Sequence, residues 1–176
     1  NRQVNSFVGA ISLLAQQDVI QSSNGDLLVS AGNDSVLNSI YVRAVAGSIT
    51  MAGDASSTTQ GGNIRYLAEV DVTVGVLNAE TGDVSIEAVT GSILDAQNDT
   101  IDHDANGFAL PTGDARMVNI DADELILRAG VNVGAVGNSL DTTVNTLSVQ
   151  AGTSIYVLET DGLILDAVGS ISVTRV

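Results

Sequence analysis

The chain of 176 residues has no cysteine, no tryptophan and no lysine, one proline and one histidine. Without cysteine there is no disulfide framework, no thiolate zinc site and no cysteine nucleophile. With six Arg against 21 acidic residues the formal net charge is −15. Nucleic acid and anionic membrane surfaces are disfavoured as partners, because both require a cationic stripe. Clustered carboxylates leave divalent cations as natural counterions. No apolar run approaches the roughly 18 residues of a membrane span, and the N-terminus shows no basic region followed by an apolar stretch. Aromatic residues make up 3% of the chain although 44% is hydrophobic. A core of Val, Ile, Leu and Ala favours regular stacking over irregular packing around rings.

What is present is repetition. LILRAG at Leu125, LSVQAG at Leu147 and LILDAVG at Leu163 repeat one pattern, and the last two are followed by SIYV from Ser154 and SISV from Ser170. Each unit is an alternating apolar strand, a small-residue corner and a second alternating strand. Upstream copies begin at Ile40, with Gly47, Ser48, Ile49 and Met51 as the second strand, and at Val84, with Gly91, Ser92 and Ile93. The first strands of Ile40, Val84, Leu125, Leu147 and Leu163 give a mean period of roughly 20 residues, which fits a solenoid coil.

Apolar residues recur at intervals of two and β-branched residues abound, which argues for strands and against helices. The expected fold is all-β, a right-handed parallel β-helix of about eight coils, with each coil burying its apolar residues against its neighbours. A β-sandwich is the alternative, since it too alternates strands with turns. Copies of one unit favour the solenoid. Residues 1–176 are expected to form a single segment, with Asn1 and Val176 falling inside the pattern as in a piece of a longer protein. Asp54 to Gly62 reads as a polar loop, Val70 to Val76 as one strand with its valines on one face, and Val131 to Thr143 as a turn.

The phrases GSILDA, LILRAGVNVGAVGNSLDTTVNTLSVQAG and SIYVLETDGLIL resemble repeats of the filamentous-haemagglutinin-like giant surface proteins of bacteria. The resemblance is strongest from Val84 onward and loose before Tyr41. It implies right-handed parallel β-helix coils in an extracellular or cell-surface adhesin or fibre, where such repeats mostly act as spacers. It supplies no ligand.

The pattern fails in an insertion at about residues 95–116. There Asp102, His103, Asp104, Ala105, Asn106 and Gly107 spell D-x-D-x-N-G. Oxygen ligands at alternate positions, with Gly for the sharp turn, wrap a hard cation, so Asp102, Asp104, Asn106 and Asp114 are candidate calcium ligands. Position twelve of a helix-loop-helix calcium site wants Glu, but here it is Gly113, with Asp114 one place late. Asp95, Asn98 and Asp99 offer further oxygens for a site of another shape. His103 reads as a loop residue, because no second His or Cys supports a zinc or copper site.

Asp121, Asp123 and Glu124, and likewise Glu159 and Asp161, precede strands at corners. Paired carboxylates can hydrolyse glycosides, and lyase chemistry would also want a base such as Lys or Arg beside a metal, for which Arg116 and Arg128 are the nearest candidates. Corner acids of ordinary repeats are the simpler reading, since few aromatic rings are present to bind sugar. The chain is therefore expected to be no enzyme, and its partners to be neighbouring repeats, other copies of itself or a host or matrix polysaccharide.

Overall fold

A computed structural model describes residues 3–32, 34–97 and 118–175. Every regular element among them is a strand. In chain order they are β1 (Val4–Ser6), β2 (Ile11–Ala15), β3 (Val19–Gln21), β4 (Leu27–Gly32), β5 (Ile40–Ala44) and β6 (Ile49–Met51). Then come β7 (Ser56–Gln60), β8 (Ile64–Ala68), β9 (Val72–Val74), β10 (Val76–Asn78), β11 (Val84–Ala88) and β12 (Ile93–Asp95). Beyond the insertion lie β13 (Ile120–Ala129), β14 (Asn132–Val133), β15 (Leu140–Ala151), β16 (Ser154–Ile155), β17 (Val157–Glu159) and β18 (Ile164–Leu165).

All pairing between named strands is parallel, and strands pair with counterparts one repeat away. β1, β4, β7 and β10 stack into a first wall. A second wall stacks β2, β5, β8 and β11. The third runs through β3, β6, β9, β12, β14 and β16. The long strands β13 and β15 bend from the first wall into the second, which joins those two walls into one sheet. β17 and β18 rest on the two halves of β15. The chain is thus all-β and built of parallel sheets, the pairing a solenoid requires. A sandwich of antiparallel sheets is not what the pairing gives.

The registers explain the repeated words. Ile11, Ile40, Ile64, Val84, Leu125 and Leu147 form one column along the second wall, and Leu13, Val42, Tyr66, Ile86, Leu127 and Val149 form the next. The third column is Ala15, Ala44, Ala68, Ala88, Ala129 and Ala151, where the wall meets a corner and only a small side chain fits. Positions one, three and five of each unit face inward because side chains alternate along a strand. Ile40, Ile64, Ile86, Leu125 and Leu127 are fully buried. Like residues stacked on like, about 4.8 Å apart, bury apolar area that no single turn of chain could bury alone.

Corners explain the Gly-Ser-Ile words. Asp18 Oδ1 accepts from the backbone N–H of Ser48, and Asp71 Oδ1 accepts from that of Ser92. A Cβ on Gly47 would collide with the Asp18 carboxylate, and one on Gly91 with that of Asp71. The glycines make room for a carboxylate cap from the adjoining turn of chain.

Four segments differ from their sequence reading. Asp54 to Gly62 is no loop, since it contains β7, with Ser57 and Thr59 fully buried. Val70 to Val76 is not one strand: Val72 and Val74 belong to β9, Gly75 turns the corner, and Val76 opens β10. Val131 to Thr143 holds β14 and the start of β15. In the last repeat Leu165, rather than Leu163, lies on Leu147, and Ser170 to Val173 forms no strand.

Candidate functional site

The insertion was expected to carry the chemistry. Asp102, Asp104, Asn106 and Asp114, together with His103 and Arg116, lie outside the described residues. Its two roots are described, and they meet in a buried polar network. Asp95 Oδ1 accepts hydrogen bonds from Asn119 Nδ2 at 2.6 Å and from the Gln97 backbone N–H at 2.7 Å. The Asn119 side chain also donates to the Gly75 carbonyl at 3.1 Å and accepts from the Asp141 N–H at 2.8 Å. Asn138 Nδ2 donates to the Asp95 carbonyl.

Beside this network, the Gln97 amide, Asn138 Oδ1 and Ser139 Oγ are buried with no hydrogen-bond partner among the described residues. Buried amide and hydroxyl oxygens of this kind suit ordered water or a hard cation. Among the described residues no group of three His, Cys, Asp or Glu could hold a metal ion.

Of the remaining candidate carboxylates, Asp123 and Glu159 are tied into the framework by hydrogen bonds. Asp121 lies in β13 on Thr143 of β15, and Asp123 Oδ1 accepts from Asn145 Nδ2 at 2.9 Å. Asp83 Oδ1 accepts from the Glu124 N–H at 3.3 Å. Half-burial pushes the Asp83 carboxyl above the usual Asp range, and the charges of Glu124 and Asp123 push it further, while the bond from the Glu124 N–H pulls it back. Glu159 accepts from the Thr142 hydroxyl at 2.7 Å, and Asp161 is exposed. Each of these bonds fits the reading of corner acids that hold ordinary repeats.

Two features escaped sequence reasoning. Gln21 of β3, Ser57 of β7 and Tyr66 of β8 come from three different walls and meet inside the core. Tyr66 donates to Gln21 Oε1 at 2.9 Å and lies 2.7 Å from Ser57 Oγ, while Gln21 Nε2 donates to the Ser56 carbonyl at 2.7 Å. Burial pushes the Tyr66 phenol far above its ordinary range, so it stays a neutral donor. The only signal in the sequence was a tyrosine in an aliphatic column.

The other feature is charge placement. Three of the four described arginines, Arg43, Arg65 and Arg128, point outward from strands of the second wall, and the Arg175 guanidinium of the C-terminal segment sits 5.6 Å from the Tyr41 ring centroid of that wall. Arg65 pairs with Glu87 at 3.4 Å. A groove of about 350 Å³ lies at the edge of this wall, between Glu87, Arg128 and Gln150 on one side and Gly130 and Gly152 on the other. A second hollow of about 160 Å³, lined by Arg43, Leu67 and Glu69, shares Glu87 and Val89 with it. The two hollows adjoin at Glu87 and Val89, a shallow channel on the outer side of the wall.

No family model, no curated protein and no solved structure matches this chain.

Proposed function

We propose that this chain is a non-catalytic structural repeat segment of a large bacterial cell-surface adhesin or extracellular fibre protein. On this reading it is a right-handed parallel β-helix of about eight coils, acting as a rigid spacer or adhesive stalk. The observation that carries the proposal is the unbroken, in-register column from Ile11 to Leu147. Columns of this kind stiffen a rod, and the corner Asp, Gly and Ser residues serve the stacking. Strand edges at either end offer backbone groups to further coils, from the same polypeptide or from another copy.

Small-angle scattering tests the rod, and polysaccharide turnover assays test the role. An elongated particle without turnover fits the spacer. Reproducible cleavage that disappears when Asp123 or Glu159 is replaced overturns it.

The shallow channel beside Glu87, Arg128 and Gln150 favours one second reading, a β-helical carbohydrate-active domain. Its side chains recur at about 4.8 Å, the strand spacing, and so could follow a linear glycan. Calcium belongs to the proposal as well, on Asp102, Asp104, Asn106 and Asp114. Melting with and without chelator tests it: a raised midpoint with calcium supports the site, and an unchanged midpoint with no heat of titration removes it. Extracellular display is tested by protease accessibility on intact cells of the source organism.

A further inference from the structure

The last repeat departs from the constant shift kept by the turn before it. From β13 to β15 and from β14 to β16 the separation is constant, with Leu125 on Leu147 and Asn132 on Ser154. The words LSVQAGTSIYV and LILDAVGSISV would continue that order. Leu147 and Leu163 stand as far apart in sequence as Ala151 and Ala167, and as Ser154 and Ser170. A constant shift would place Leu163 on Leu147, Leu165 on Val149, Ala167 on Ala151 and Ser170–Ile171 on Ser154–Ile155.

The structure holds a different arrangement, in which Leu165 lies on Leu147 and the chain then leaves the ladders. It reappears far away. The Ser172 carbonyl accepts from Asn63 Nδ2 at 2.9 Å, the Thr174 N–H donates to Ser39 Oγ at 2.9 Å, and Thr174 Oγ1 donates to the Val36 carbonyl at 2.9 Å. Arg175 covers Tyr41. From β18 to the neighbourhood of β8 there are four strand spacings, about 19 Å. The residues between Leu165 and Ser172 reach about 24 Å when extended. The segment must therefore run nearly straight along the second wall, at right angles to the strands.

Burial agrees with that path. Tyr41, Ser85 and Ile126 occupy one outward column with Arg65, and all three are covered, Ile126 to 3% exposure. Ile171 and Val173 are buried as well. The cost appears at the other end, where Ile155 is 47% exposed, Ile164 61% and Leu165 72%.

We propose that residues 163–175 have two alternative seats: the one in this structure, with Ile164 and Leu165 on β15 and residues 166–175 as a strap along the second wall, and a full further rung on β15 and β16. The exchange slips the second-wall register by two residues. That slip preserves which side chains face the core, whereas a slip of one would invert them. In the strap seat Tyr41 and Ile126 are covered and the edge of β16 is open. In the rung seat Leu163 and Leu165 lie on Leu147 and Val149 of β15, Ser170 and Ile171 cover the edge of β16, and the outward column of the second wall is bare. A further parallel coil competes with residues 170–171 for β16, so its arrival favours the strap.

The absence of native cysteine makes the test direct. In the 176-residue chain, the pair Ser39→Cys with Thr174→Cys reports the strap, and Ser154→Cys with Ser170→Cys reports the rung. Both pairs are expected to form intramolecular disulfides on mild oxidation. Removing the Asn63 bond with Asn63→Ala is expected to shift the rung-to-strap ratio roughly fivefold toward the rung. No strap disulfide in the otherwise native chain overturns the first seat. No intramolecular rung disulfide, even with Asn63→Ala, overturns the second. If Asn63→Ala unfolds the chain, Arg175→Ala, which removes only the contact with Tyr41, replaces it.

Discussion

The clearest residue in the molecule is Tyr66, whose hydroxyl joins Gln21 and Ser57 across three walls. Tyr66→Phe keeps the ring but leaves two buried polar groups short of a partner, so chemical denaturation is expected to show a loss of about 1–3 kcal/mol. Asp83 acts in the opposite sense. Its carboxyl titrates above the ordinary Asp value in the folded chain, chiefly through desolvation. Stability is therefore lost as pH rises from the usual Asp range, about 3.9, through the raised folded value, and it stays lost above that. Asp83→Asn can still accept from the Glu124 N–H. It is expected to melt higher than the parent chain at neutral pH, the gap closing as the pH falls below the ordinary Asp range.

At the scale of the element, Gly75 separates β9 from β10. A Cβ there would meet the carbonyl oxygens of Ala52 and Ala55, so Gly75→Ala is expected to cost about 1–3 kcal/mol, read as a lower denaturation midpoint at unchanged slope. The strands most visible in the sequence were those whose inward residues are apolar. The columns through Ile40, Val84, Leu125 and Leu147 could be read from spacing alone. β7 could not, because Ser57 and Thr59 sit where β4 and β10 carry Leu27, Val29 and Leu77. A hydroxyl looks solvent-seeking until its partner is known, and here the partners are Tyr66 and the Gly62 carbonyl. The break at Gly75 was hidden for a related reason: Val-x-Val spacing continues across the corner although the strand does not. The displacement of Ser170 to Val173 was invisible, since a repeated word marks a compatible place and not an occupied one. Of the candidate site, sequence showed the oxygen-rich insertion but not the network joining Asp95 to Asn119 and Asp141, which only the stacking assembles.

Across the whole molecule, charge is unevenly spread. A net charge of −15 repels itself, yet the described arginines gather on or against the second wall, Arg65 in a pair with Glu87. Added monovalent salt shortens the Debye length from about 30 Å at 0.01 M to about 8 Å at 0.15 M. The melting temperature is expected to rise over that interval, because relief of distant acid–acid repulsion outweighs the weakening of the single part-buried Arg65–Glu87 pair, 3.4 Å long. A fall in melting temperature would mean that short-range ion pairs govern the balance.

The backbone hydrogen bonds of the three walls point along the stack, from each strand to the next. Tension applied to the two ends of such a stack is borne in series, one rung at a time, so the ladder peels instead of shearing. Each peeled turn of roughly 20 residues trades about 4.8 Å of height for some 70 Å of extended chain. A stack built this way yields gradually and lengthens many-fold before it parts, which makes it compliant under load however stiff it is at rest.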